Sequence, residues 1–413
     1  MKLSALCSPS ALPALAGGLL LALAPPLTTA AAESDTGSAG AFKIDVVTKA
    51  GQIQPPVLIN VSGFAPEVLS VLDFHLTVCG FKFASAEQAD YQLKGKVDGN
   101  VSGTLLSKGG QATLFARAFS GGTRRSQVHA LADEVIKTVT GSTGLGQSRI
   151  AFRRVLGKRN LHNEAISEIF VSDFDGFEPV QLTEDAAINA SPDWIPGMRG
   201  LVYMSNRGGN SDIYSHDLST GARAPVARYS GSNLSPSVSP KGHQVAMVLS
   251  RGGGVHLWVT NLDGSGAVQL TRGQIDASSP CWSPNGQTIC FASTGGGRPS
   301  LYTIPASGGT ARKLTTGIIN ATEPDWSPDG KAIAFTRMVG RDNFRVCIVD
   351  ASGGVAQEVA DGEDPSWGPN SRTLAISFRK NNERTLRLLD VPTRQYKDLP
   401  LNSGSCSQPS WGR

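Results

Sequence analysis

The chain runs to 413 residues, 40% of them hydrophobic and 17% charged, enough at roughly 150 residues per domain for two to three domains with buried cores. Its 47 glycines and 24 prolines require many tight turns between short strands, so a mainly β protein is expected. A formal charge of +4 on a chain of this length leaves no electrostatic footprint for nucleic acid, and DNA or RNA binding is set aside.

Lys2 precedes the short apolar run from Ala14 to Ala24, then Pro25-Pro26 and the small residues ending at Ala32. That order marks residues 1–32 as a secretory signal peptide cut after Ala32. The run is too short to span a bilayer, and no other segment is apolar enough to serve as a membrane span. Cys7 lies before the apolar core and behind Leu6, too bulky for lipoprotein processing, so no lipid anchor is expected. The expected product is a soluble periplasmic monomer. Residues 33–41 are rich in Ser, Gly and Asp and read as a flexible N-terminal segment.

Residues 42–141 read as a small α/β domain. Phe42 to Val46 and Val57 to Val61 have strand character. Pro66 to Cys79 predicts a helix that starts at Pro66 and stops at Gly80. Val68, Val71, Leu72, Leu76 and Cys79 recur at helical spacing on one face. Tyr91 to Val97 and Ala112 to Ala118 predict strands; Val128, Leu131, Val135 and Val139 mark a second helix stopped by Gly141. Both apolar stripes read as core.

Residues 148–413 are dominated by a repeat. Pro192-Asp193-Trp194-Ile195-Pro196-Gly197 returns in altered form at Pro236, Pro280, Pro324, Pro365 and Pro409, at intervals of 44, 44, 44, 41 and 44 residues. A period in the low forties indicates a propeller of four-stranded blades. In the fullest copies Pro opens the turn and Gly accepts a positive φ at its end. The last copy is followed only by Gly412 and Arg413, which leaves its blade with one strand. The missing three precede the first copy: Arg149 to Phe152, Ile169 to Asp173 and Val180 to Thr183. The ring therefore closes with one strand from the C-terminus and three from the other end, giving six blades and no open sheet edge. The tryptophans at 194, 282, 326 and 367 are expected between blades.

Chemistry finds little support. No Gly-x-Ser-x-Gly elbow occurs, and the histidines at 75, 129, 162, 216, 243 and 256 lack zinc spacing, so each reads as a surface or packing residue and neither a cofactor nor a metal is expected. Gly144-Leu145-Gly146 belongs to no complete phosphate loop. Asp193, Glu323, Asp325 and Asp364 flank the first strands of different blades, where either bonding to neighbouring amides or binding of a partner or cation would suit them. Arg153, Arg154, Lys158 and Arg159 read as a solvated basic run in a long turn. Beyond Cys7 an odd five cysteines remain, without a C-x-x-C pair. Cys281 and Cys290 should face each other across a hairpin centred on Asn285-Gly286. Either a bridge or two buried thiols would fit, and Ser237/Ala246 and Ser366/Ala375 at the equivalent places favour thiols.

In the order signal peptide, α/β domain and repeats, the mature chain resembles the TolB family, soluble periplasmic components of the Tol-Pal envelope system. The likeness rests on Ala132-Asp133-Glu134-Val135 running to Thr140-Gly141, Ser148 to Phe152, Val171-Ser172-Asp173-Phe174-Asp175-Gly176, and the repeats ending at Pro409-Ser410-Trp411. It implies a non-enzymatic scaffold that binds a Pal-like peptidoglycan-associated lipoprotein over one end of the channel and a TolA-like inner-membrane protein through its mature N-terminus. Roles in outer-membrane integrity, cell division and protein import go with it. Family contacts to the lipoprotein sit just before the blade prolines. They carry over to Thr322 and Glu323, and to Ser235; Ser232 stands where the family has a histidine. With Asp364 these are the candidate partner-binding residues. The other reading is a propeller enzyme or small-ligand binder working in its channel.

Overall fold

The computed structural model describes residues 52–160, 162–295, 297–314, 319–401 and 404–412. The signal peptide expected at residues 1–32, the segment expected at 33–41 and the strand expected at Phe42 to Val46 lie outside them.

The α/β domain contains β1 (Val57–Ser62), α1 (Pro66–Val78), β2 (Phe81–Phe83), β3 (Tyr91–Asp98), β4 (Asn100–Ser107), β5 (Thr113–Phe119) and α2 (Arg124–Thr140). The sheet order is β2-β1-β3-β4-β5, with β1 parallel to both neighbours and the rest antiparallel. Helix α2 begins at Thr123, whose hydroxyl accepts the Ser126 amide at 3.1 Å, and ends at Gly141 with φ 70°. Strands β2 and β4 carried no clear sequence signal. The first is three residues long, and the second has Gly103, where a Cβ would come within 2.6 Å of Leu131 on α2.

Six antiparallel four-stranded sheets form the propeller. The first strands of blades 1 to 5 are Asn189–Ile195, Asn233–Val238, Ala277–Trp282, Ala321–Trp326 and Glu363–Trp367. Blade 6 joins Ser405–Trp411 to β6 (Arg149–Arg159), β7 (Ala165–Asp173) and β8 (Val180–Gln181), in register Trp411 to Ile150 and Ser410 to Ala151. The ring thus closes between Ser405–Trp411 and β6. Trp194, Trp282, Trp326 and Trp367 are each at most 8% exposed. Trp194 Nε1 donates to Ser410 O at 2.9 Å and Trp282 Nε1 to Ser237 O at 3.0 Å, each reaching the preceding blade. Three of the fourth strands, Val180–Gln181, Val268–Gln269 and Arg312–Lys313, are shorter than the sequence suggested. Short outer strands leave little edge for another chain to pair with.

The basic run is corrected. Arg153, Arg154, Lys158 and Arg159 lie within β6, not in a turn, and only the last two are exposed. Arg154 is 8% exposed, with its guanidinium 4.3 Å from the Phe170 ring centre and its Nε 3.4 Å from Cys406 Sγ. A long aliphatic stem lets arginine occupy an inward strand position. The cores are continuous: Leu72, Leu76 and Leu131 belong to the same cluster as Phe152, Phe174, Leu399 and Trp411.

Candidate functional site at the channel mouth

A proline within a strand donates nothing to the ladder, so each first strand must accommodate its repeat proline at an irregularity. The register slips there, for example between Leu234 and Ser237 and between Thr322 and Asp325. The residue before each proline takes up the slip by turning left-handed. Ser191, Ser235, Ser279, Glu323, Asp364 and Gln408 have φ of 50°, 48°, 46°, 52°, 53° and 53°. For residues other than glycine this costs on the order of 1 kcal/mol or more apiece and persists only where surroundings impose it. All six, with their prolines, line one cavity of about 190 Å³ to which every blade contributes.

The ring is stitched unevenly. Asp364 N–H donates to Glu323 Oε2 at 3.2 Å, Gln408 N–H to Asp364 Oδ2 at 3.0 Å, and Ser191 N–H to Gln408 Oε1 at 2.9 Å. On that side, each left-handed residue accepts the amide of its counterpart in the next blade. The opposite side carries only serines. One layer further along the strands, Asp193 Oδ2 accepts the Val238 amide at 2.7 Å and Asp325 Oδ2 the Trp367 amide at 2.6 Å. All four acidic residues therefore bond neighbouring amides while also lining the mouth. Burial pushes the Asp364 carboxyl well above the usual carboxylate range, with Glu323 and Glu363 reinforcing the shift. Glu363 is itself in an ion pair with Arg384.

Of the candidate residues, the structure brings Ser235, Glu323 and Asp364 together at the mouth; Ser232 and Thr322 are not in its lining. Ser232 is half-buried in the turn before its strand and donates its amide to Ser250 Oγ at 2.7 Å. Thr322 pairs in register with Thr336, whose hydroxyl donates to Glu323 Oε2 at 2.6 Å. Ser191, Ser279 and Gln408 went unnoticed, though the place before the proline in every repeat would have found them. With serine hydroxyls, carboxyl groups and a glutamine amide around prolines, the mouth can exchange hydrogen bonds with a polypeptide inserted along the axis. Among the described residues, no group of three His, Cys, Asp or Glu side chains is arranged to hold a metal ion, and no helix is long and apolar enough to cross a membrane.

Cys281 and Cys290 are directly opposite in register. All five described cysteines are buried thiols.

The family model described as the TolB beta propeller domain matches residues 136–413. The Tol-Pal system protein TolB of Xanthomonas oryzae pv. oryzae (strain PXO99A) is 34% identical over 128 residues, 31% of this chain and 28% of that protein. The protein of the same name from Xylella fastidiosa (strain 9a5c) is 34% identical over 109 residues, 26% of this chain and 24% of that one. The matched stretch spans less than a third of these relatives' length. The crystal structure of TolB from Acinetobacter baumannii superposes with a TM-score of 0.77 at 24% identity, covering 88% of this chain and 98% of that one, which shows a shared fold. A chain of the nidogen/laminin complex reaches 0.52 at 10% identity over 64% of this chain and 98% of its own.

Proposed function

Because the chain belongs to the TolB beta-propeller family, we propose that it is the soluble periplasmic component of a Tol-Pal envelope system and acts there as a scaffold rather than an enzyme. In this reading a Pal-like lipoprotein docks over the channel mouth, with Ser235, Glu323 and Asp364 as direct contacts and Ser232 and Thr322 beside them. A TolA-like inner-membrane protein binds the N-terminal segment up to about Val46. By holding the two, the scaffold supports outer-membrane integrity and cell division.

The observation that carries this reading is the ring of six left-handed residues before the blade prolines, which keeps polar groups turned into a mouth lined by all six blades. Strain held in place by the whole ring is a feature of prepared binding sites. Crosslinking envelopes and purifying this protein tests it. Retention of both a Pal and a TolA homologue is expected; a chain that retains neither, yet binds a small molecule in its channel, would favour the ligand-binding alternative. Deleting residues 33–46 should abolish capture of the inner-membrane partner and leave lipoprotein binding intact.

A further inference from the structure

Away from the channel, a chain of buried titratable groups ties the α/β domain to blade 6. His75 on α1 is fully buried and His129 on α2 is 3% exposed; their Nδ1 atoms are 3.2 Å apart. His75 Nε2 lies 3.2 Å from Asp133 Oδ1 on α2. On the far side, His129 Nε2 lies 3.1 Å from Asp175 Oδ2, an ion-pair contact and not an aligned hydrogen bond. Asp175 sits in the turn after β7, is buried, and is also paired with Arg125 of α2. Phe174, from the same turn, packs on both imidazoles with ring centres 4.7 and 5.0 Å away.

A hydrogen bond between two Nδ1 atoms holds one proton, so one ring donates and the other accepts. Burial pushes the Asp175 carboxyl up, but His129 and Arg125 outweigh it and hold the group below its ordinary range. A lone pair pointed at either flanking carboxylate is repelled, and more strongly at Asp175, whose side chain is fully buried, than at Asp133, which is 26% exposed and screened by solvent. His129 therefore keeps its proton on Nε2 and accepts at Nδ1, while His75 donates at Nδ1. The Nε2 of His75 is then open to accept the Leu145 amide, which donates to it at 3.4 Å.

Burial lowers the His75 pKa, and Asp133 opposes that shift. A proton added at His75 Nε2 meets Asp133 Oδ1 and leaves the central bond intact. A proton on each Nδ1 at once would set two N–H groups head to head and leave no lone pair to join the rings. The charged groups facing the pair are Asp133 and Arg125 from α2 and Asp175 from blade 6. Where α1 meets blade 5, Asp73 is separately paired with Lys397.

We propose that His75 and His129 form an acid-released clasp between α1 and α2, seated against the propeller turn at Phe174, closed while one proton is shared between the two Nδ1 atoms and open when each Nδ1 carries its own. The clasp requires no partner and stands apart from the reading of the mouth.

Amide hydrogen exchange on the full chain at pH 7.5 and pH 5.0, corrected for intrinsic rates, tests it. Peptides covering α1, the first half of α2 and residues 144–148 should exchange at least tenfold faster at the lower pH, with blades 2 to 4 unchanged. His129→Gln, which still accepts from His75 yet takes up no proton, should reduce that response to less than twofold. Equal protection at both pH values in the wild type, or a full response in the variant, overturns the clasp. Imidazole nitrogen shifts of the wild type add a measurement that does not depend on the variant's folding. One protonated Nδ1 across the pair is expected at pH 7.5, and two in step with the loss of protection; release without the second protonation also overturns it.

Discussion

The carboxylate of Asp364 accepts the backbone amide of Gln408 at 3.0 Å, joining the left-handed residue of blade 5 to that of blade 6. The bond lies beside the seam where Ser405–Trp411 pairs with β6 to complete the ring, so a side chain at the mouth also serves closure.

Asp364→Ala leaves the Gln408 amide without its acceptor and should lower stability by about 1 to 3 kcal/mol. Asp364→Asn keeps an oxygen there and removes a charge that burial disfavours. The folded carboxyl has a raised pKa, so its contribution falls as pH rises above the unfolded value near ~4 and stays low beyond the folded value. The asparagine variant should therefore match or exceed the wild-type melting temperature at pH 7.5, whereas the alanine variant melts lower. Thermal unfolding at pH 7.5 checks both, and a fall for Asp364→Asn as large as that for alanine would refute the charge argument.

Glu323→Ala should weaken binding of the cognate peptidoglycan-associated lipoprotein by about 1 to 3 kcal/mol, the usual cost of losing a buried hydrogen bond. Thr322→Ala alone should change affinity little, because Thr322 does not line the mouth. Calorimetric titration of each variant, with circular dichroism as a fold control, separates them. Unchanged affinity for Glu323→Ala removes the mouth from the interface.

Arg154→Ala should destabilise the protein by about 1 to 3 kcal/mol through lost packing on Phe170 and Cys406. Lysine has no planar guanidinium to stack, so Arg154→Lys should not restore stability. Urea midpoints for the pair of variants decide this, and a solvated position would show neither loss.

Thiol counting under denaturing, non-reducing conditions should find five thiols in a chain beginning at Glu33, from Cys79, Cys281, Cys290, Cys347 and Cys406. A count of three, with peptide mapping to Cys281 and Cys290, would establish a bridge instead.

The amino-acid sequence by itself determined the architecture. Proline spacing, turn glycines and alternating strands act over a few residues, and counting strands was enough to show where the ring closes. The same local rules located both helices through their apolar stripes and terminal signals. Tertiary structure alone decided the left-handed turn of Ser191, Ser235, Ser279, Glu323, Asp364 and Gln408. None of these residues prefers that conformation; a proline unable to donate and, on one side, amides shared between blades impose it. It also decided the inward placement of Arg154 and the meeting of His75 with His129, 54 residues apart in the chain. Helical periodicity assigns a side chain to a buried face, but which group it meets there depends on how the two helices and the propeller turn pack against one another.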